Sequence, residues 1–102
     1  MDKQSVTATF YLDSSVLVKR YAVETGTGLV LTLCSQPNYV IAVAIIGLVE
    51  VAAAVGGKLR GQIIDQATAD VILTSLKADA ATQYSLLDVD QYVVDEAIEL
   101  TR

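Results

Sequence analysis

The chain contains no histidine, one cysteine and one proline in 102 residues, and these gaps exclude whole classes of chemistry. Without histidine, neither a Ser-His-Asp nor a Cys-His catalytic set can be assembled within one chain. A lone cysteine also leaves no set of nitrogen and sulfur ligands for zinc. Cys34 has no internal disulfide partner, which suits a reducing cytoplasm; following Leu29-Val30-Leu31-Thr32-Leu33, it reads as a small core residue. Six glycines and one proline stand against 53% apolar residues, so low complexity and disorder are excluded.

Positive charge is also scarce, with 7 Lys+Arg against 12 Asp+Glu and a net charge of −5. That balance argues against a protein that grips nucleic acid by broad phosphate neutralisation. An enzyme that meets phosphate through bound cations remains open, because the metal then supplies the positive charge. The groups available for chemistry are carboxylates, hydroxyls, Lys and Arg, and hard oxygen ligands of this kind suit Mg²⁺ or Mn²⁺. No signal-peptide pattern opens the chain. Residues 40–55 are almost wholly apolar, but Glu50 interrupts them and the unbroken run 40–49 is too short to span a membrane as a helix. The expectation is one small domain over residues 1–102 with its own core and no membrane span.

Thr7-Ala8-Thr9-Phe10-Tyr11-Leu12 is rich in β-branched and aromatic residues and predicts a strand. Asp13-Ser14-Ser15 offers N-cap side chains before a short helix, Val16-Leu17-Val18-Lys19-Arg20-Tyr21. A second helix is expected after Thr25-Gly26-Thr27-Gly28, ending at Ser35, and Gln36-Pro37-Asn38 is a turn signal. Gly26-Thr27-Gly28 lacks the rest of a dinucleotide or phosphate-loop fingerprint. Tyr39-Val40-Ile41-Ala42-Val43 reads as a strand of a parallel sheet, buried on both faces. The next helix is expected over residues 46–55 and stops at Gly56-Gly57, with Leu48, Val51, Ala52 and Val55 as its packing face. Glu50 lies on its other side, among Gly47, Ala53 and Ala54, where small neighbours leave room to approach the carboxylate. A longer helix over residues 64–80 packs through Ala69, Ile72, Leu73 and Leu76. Tyr84-Ser85-Leu86-Leu87-Asp88-Val89 is a third strand, and Asp90 caps a last helix carrying Val94, Ala97, Ile98 and Thr101. Alternating strands and helices predict an α/β fold with a parallel sheet.

In open parallel sheets, functional groups gather beyond the carboxyl ends of the strands. Asp13 occupies that place on the first strand, and the helix after the second strand can bring Glu50 to the same edge. Two carboxylates there can share a divalent cation, which polarises a phosphoryl oxygen and activates water. The plainer reading makes Asp13 a helix cap and Glu50 a solvated residue; with Ser14 and Ser15 available as caps, Asp13 is free for function. Lys19, Arg20, Lys58 and Arg60 lie near the two acidic motifs in sequence and either meet phosphates or form solvated helix ends.

Phe10-Tyr11-Leu12-Asp13-Ser14-Ser15-Val16-Leu17-Val18-Lys19-Arg20-Tyr21, followed by Glu24 and Gly26, resembles the opening of a PIN-domain protein of the VapC toxin type. Ile41-Ala42-Val43 with Leu48-Val49-Glu50-Val51-Ala52-Ala53-Ala54 resembles the second motif of that family, and the later Tyr84 to Val89 strand also fits. The resemblance implies a PIN-like α/β/α sandwich and a Mg²⁺- or Mn²⁺-dependent endoribonuclease that cleaves single-stranded RNA, acts as a cytoplasmic toxin and is held inactive by a cognate antitoxin. Carried over by position, Asp13 and Glu50 are metal ligands, and Ser15 is a hydroxyl that orients the site beside Asp13.

The family places two further acids beyond its last long helix. Asp95, Glu96 and Glu99 do not match those motifs and read as a solvated helix face, while Asp88 and Asp90 read as a strand end and a cap. Ala44-Ile45-Ile46 also replaces a hydroxyl often found there in the family. The expectation is therefore a domain truncated after the third strand and following helix, with half of the acidic set. The alternative function is a non-catalytic PIN remnant that associates with itself or binds the antitoxin. A phosphohydrolase using Asp13 as nucleophile is disfavoured, because Ser15 stands where a second acid is required. Loss of the final strands would leave an open sheet edge, so a homodimer or larger assembly is expected.

Overall fold

In the computed structural model, residues 5–88 and 99–100 are described. The order is β1 (Ala8–Tyr11), α1 (Ser14–Tyr21), α2 (Thr27–Cys34), β2 (Tyr39–Ala44), α3 (Ile45–Arg60), α4 (Gln66–Thr82) and β3 (Tyr84–Leu87). The three strands form one parallel sheet in the order β1-β2-β3. Tyr11 pairs with Ala42, and Ala42 in turn pairs with Ser85. The expected α/β class is thus present as a three-stranded parallel sheet with four helices.

Strand alternation explains the core. Phe10, Leu12, Tyr39, Ile41, Val43 and Tyr84 share one sheet face and join residues of all four helices in a single apolar cluster. Both crossovers step across the sheet in the same direction, and right-handed crossovers then put their helices on the same face. Leu17 of α1 and Val51 of α3 are fully buried there. Each such side chain contributes about 1.5–3 kcal/mol of burial. A second, smaller cluster joins Val55 of α3 to Ala69 and Ile72 of α4. Cys34 packs half-buried against the main cluster, as a small core residue, and burial pushes its thiol pKa up.

The expected stop of α3 at Gly56-Gly57 is wrong: the helix continues to Arg60. Two interior glycines cost about 1 kcal/mol each relative to alanine. Burial of Val55 and packing of Leu59 against the second cluster offset that cost. The true terminus is a Schellman motif, with Gln62 N–H on the Leu59 carbonyl (3.1 Å) and Ile63 N–H on the Lys58 carbonyl (2.9 Å). Gln62 adopts φ +59°, a left-handed conformation that glycine usually fills at this position. On α4, Ala69, Ile72 and Leu76 are buried as expected, whereas Leu73 is 38% exposed.

Asp65 caps α4, accepting from Thr68 N–H at 2.8 Å. The predicted last helix lies largely outside the described residues, as do Asp90, Asp95 and Glu96, while Glu99 and Leu100 are helical and exposed. Among the described residues, no helix is long and apolar enough to cross a membrane.

Candidate functional site

Asp13 sits where β1 ends. The Leu12 N–H makes the last sheet bond, to the Ala42 carbonyl at 3.0 Å, and the buried Leu12 side chain anchors the chain in the core. The backbone then stays extended at Asp13 (φ −77°, ψ 173°) before α1 begins. Asp13 itself is the N-cap, contrary to the expectation that Ser14 or Ser15 fills that role. Its Oδ1 accepts the Val16 N–H at 3.0 Å and the Ser15 hydroxyl at 2.8 Å. An aspartate reaches the N–H three residues on more readily than a serine already inside the first turn, which explains the reversal. The Ser15 hydroxyl, and after it the Val16 N–H, hold the Asp13 carboxyl pKa below its usual value. Both bonds use Oδ1, which leaves Oδ2 as the oxygen a ligand would meet. Capping and ligand binding are therefore compatible uses of one exposed side chain.

Glu50 lies in the second turn of α3, exposed, and joins none of the ion pairs of the described residues. α3 leaves directly from the carboxyl end of β2 and packs against α1, so Glu50 and Asp13 rise from the same edge of the sheet. Ala53 and Ala54 beside it are exposed and small, as expected. Gly47 instead faces inward, where an added Cβ would stand 3.7 Å from a Val43 methyl. The structure brings Ser15 onto Asp13 in direct contact and leaves Glu50 bonded to neither. Among the described residues, no three Asp, Glu or Cys side chains gather into a metal-holding group. Two carboxylate donors fit a largely hydrated Mg²⁺, which commonly keeps several waters.

The basic residues are engaged elsewhere. Lys19 and Lys58 both pair with Glu24, at 3.5 and 3.9 Å. The Arg60 guanidinium folds back over Gly56 of its own helix, 3.3 Å from where a Cβ would begin. Arg20 is neither a phosphate arm nor a solvated helix end. It donates to the Tyr84 hydroxyl (2.8 Å) and Gln83 Oε1 (3.0 Å), and pairs with Asp79 at 3.7 Å. It also lies over the Tyr21 and Tyr84 rings. The Tyr21 hydroxyl donates to Asp79 Oδ2 at 2.8 Å and touches the Tyr84 hydroxyl. Burial, with these bonds, pushes the Tyr21 hydroxyl pKa far up, and burial raises that of Tyr84. This network joins the carboxyl end of α1 to the α4–β3 junction, at the edge of the sheet opposite Asp13. Sequence reasoning missed it because its members lie 58–64 residues apart and follow no local motif.

Two clefts flank this network. One of about 250 Å³ is lined by Arg20, Tyr21, Leu31, Ile72 and Asp79 among others. The other, of about 290 Å³, includes Tyr21, Val23, Lys58, Ile63 and Ile72. They meet at Tyr21 and Ile72, and α4 supplies Thr68 to one and Val71, Ser75 and Asp79 to the other. No family model, curated protein or solved structure matches this chain.

Proposed function

We propose that the chain is a metal-dependent endoribonuclease of the PIN/VapC toxin type, cleaving phosphodiesters of single-stranded RNA. The observation that carries this reading is Asp13 at the carboxyl end of β1, with Oδ1 pinned by Ser15 and the α1 N-terminus and Oδ2 facing solvent at the edge where α3 carries Glu50. Asp13 and Glu50 would hold Mg²⁺ or Mn²⁺, and Ser15 orients the Asp13 carboxylate. When bound, the ion supplies Lewis-acid polarisation of a phosphoryl oxygen and an activated water. The chain's own contribution is to keep Asp13 ionised and its carboxylate fixed, because a hydroxyl and a backbone N–H both favour the charged form. Cleavage of a single-stranded oligoribonucleotide in Mn²⁺, abolished by chelation and by Asp13→Asn, tests the reading. Equal cleavage by wild type and Asp13→Asn sinks it.

The two clefts along α4 favour a second reading, a PIN-like module that binds a cognate antitoxin segment. Val23 is 95% exposed, Ile63 71% and Val71 66%, so the rims offer apolar contacts to the spaced side chains of an amphipathic helix. Self-association into a homodimer belongs to the same reading. Titration with an amphipathic helical peptide, by calorimetry on wild type and Val71→Asp, separates binding from catalysis. Binding that is indifferent to Val71→Asp removes the clefts from the proposal.

A further inference from the structure

We infer that the outer face of α3 is an interface between two copies of this chain, packed antiparallel about a two-fold axis with Glu50 against Arg60 of the partner subunit. The inference does not depend on the nuclease reading. A helix on the surface of a monomer turns a charged or polar face to water. α3 does not: Ile46 is 61% exposed and Val49 57%, and Ala53, Ala54 and Gly57 are exposed beside them. Glu50 and Arg60 are the only exposed charges of this helix, and among the described residues neither forms an ion pair. They are opposite in sign and stand about 15 Å apart along the helix axis.

These charges select both the partner and its direction. A parallel copy would set like charges against each other, whereas an antiparallel copy sets each charge against its opposite. A two-fold axis makes both pairs at once and closes the assembly at two copies. The same register puts Ala53 opposite Gly57 of the partner subunit, and this accounts for a cost that the chain alone does not explain. Gly57 lies inside the helix, where glycine costs about 1 kcal/mol relative to alanine. A Cβ there would meet only the tip of the Arg60 side chain, at 4.0 Å, so no neighbour in its own chain requires glycine. A second helix crossing at this point does require it, because side-chain size at the contact sets how closely two helices approach. Pairing with a guanidinium engages one Glu50 oxygen and leaves the other for a cation.

Sedimentation equilibrium of the full chain tests the interface. Wild type should be a dimer at micromolar concentration. Glu50→Arg and Arg60→Glu should each weaken dimerisation roughly ten- to a hundred-fold, because like charges then face each other at both ends of the contact. The double exchange Glu50→Arg/Arg60→Glu should restore the wild-type dissociation constant. Gly57→Leu should abolish the dimer although leucine favours the helix. Its urea midpoint, measured at a dilution where wild type is also monomeric, should therefore be no lower than that of wild type. That split separates a contact between copies from damage to the fold. A monomeric wild type overturns the inference. So does a dimer indifferent to Gly57→Leu, or a double exchange that stays as weak as its single members. None of these readouts uses RNA, so the interface and the nuclease reading fail separately.

Discussion

The two ends of α1, its N-cap and its last turn, solve opposite problems. At the amino end, Asp13 is exposed and fixed by two hydrogen bonds through one oxygen. At the carboxyl end, Arg20 and Tyr21 are engaged with Asp79, Gln83 and Tyr84 from a distant part of the chain. The first arrangement keeps a charge exposed while it caps the helix, a contribution of about 1 kcal/mol. The second pairs part-buried polar groups with one another and ties α1 to the α4–β3 junction. A charged side chain at either end of this helix is therefore read by its surroundings: Asp13 as an exposed cap, Arg20 as a fastening.

The comparison breaks most sharply on Asp13→Asn, which should lower Mn²⁺-dependent cleavage at least a hundred-fold, the scale of a positioned catalytic group. Asparagine still caps the helix, so the thermal midpoint should move little; collapse of both activity and fold would make Asp13 a structural residue. Arg20→Ala should do the reverse, costing about 2–4 kcal/mol in urea unfolding, because Asp79 loses its half-buried counter-charge. A loss under about 0.5 kcal/mol would place the network among weak surface pairs.

The two ends should also differ in pH response. The Asp13 pKa is lowered in the folded chain, so its contribution is present at neutral pH and disappears as pH falls through that lowered value. The Tyr21 and Tyr84 pKa values are raised. Unfolded tyrosines lose their protons above about pH 10, so stability should decline there as pH rises. Unfolding midpoints across acid and alkaline series check both signs, and Tyr21→Phe should flatten the alkaline branch alone. Ser15→Ala should move the Asp13 titration, followed by carboxyl NMR, up toward the ordinary range. The smallest effect is expected outside both ends: Gln62→Gly relieves a left-handed residue and should raise stability by up to about 1 kcal/mol.

Much of the scaffold is legible along the chain. The apolar run at Tyr39 to Val43, the buried face of α4 and the turn at Gln36-Pro37-Asn38 follow from periodicity and turn chemistry, which act over a few residues. Asp13 as a strand-end acid was legible for the same reason, although its capping role was assigned to the wrong neighbours. Glu50 was legible as an exposed residue, but its relation to Asp13 depends on how α1 and α3 pack.

By itself the sequence determined the alternation of strands and helices, the acid at the end of β1 and the absence of histidine and paired-cysteine chemistry, since these depend on residue identity and local spacing. Only the tertiary structure decided that α3 runs through Gly56-Gly57, that Arg20 turns inward and that Tyr11 stays outside. Each of those outcomes depends on burial against residues far away in the chain, and such contacts leave no periodic mark in the sequence.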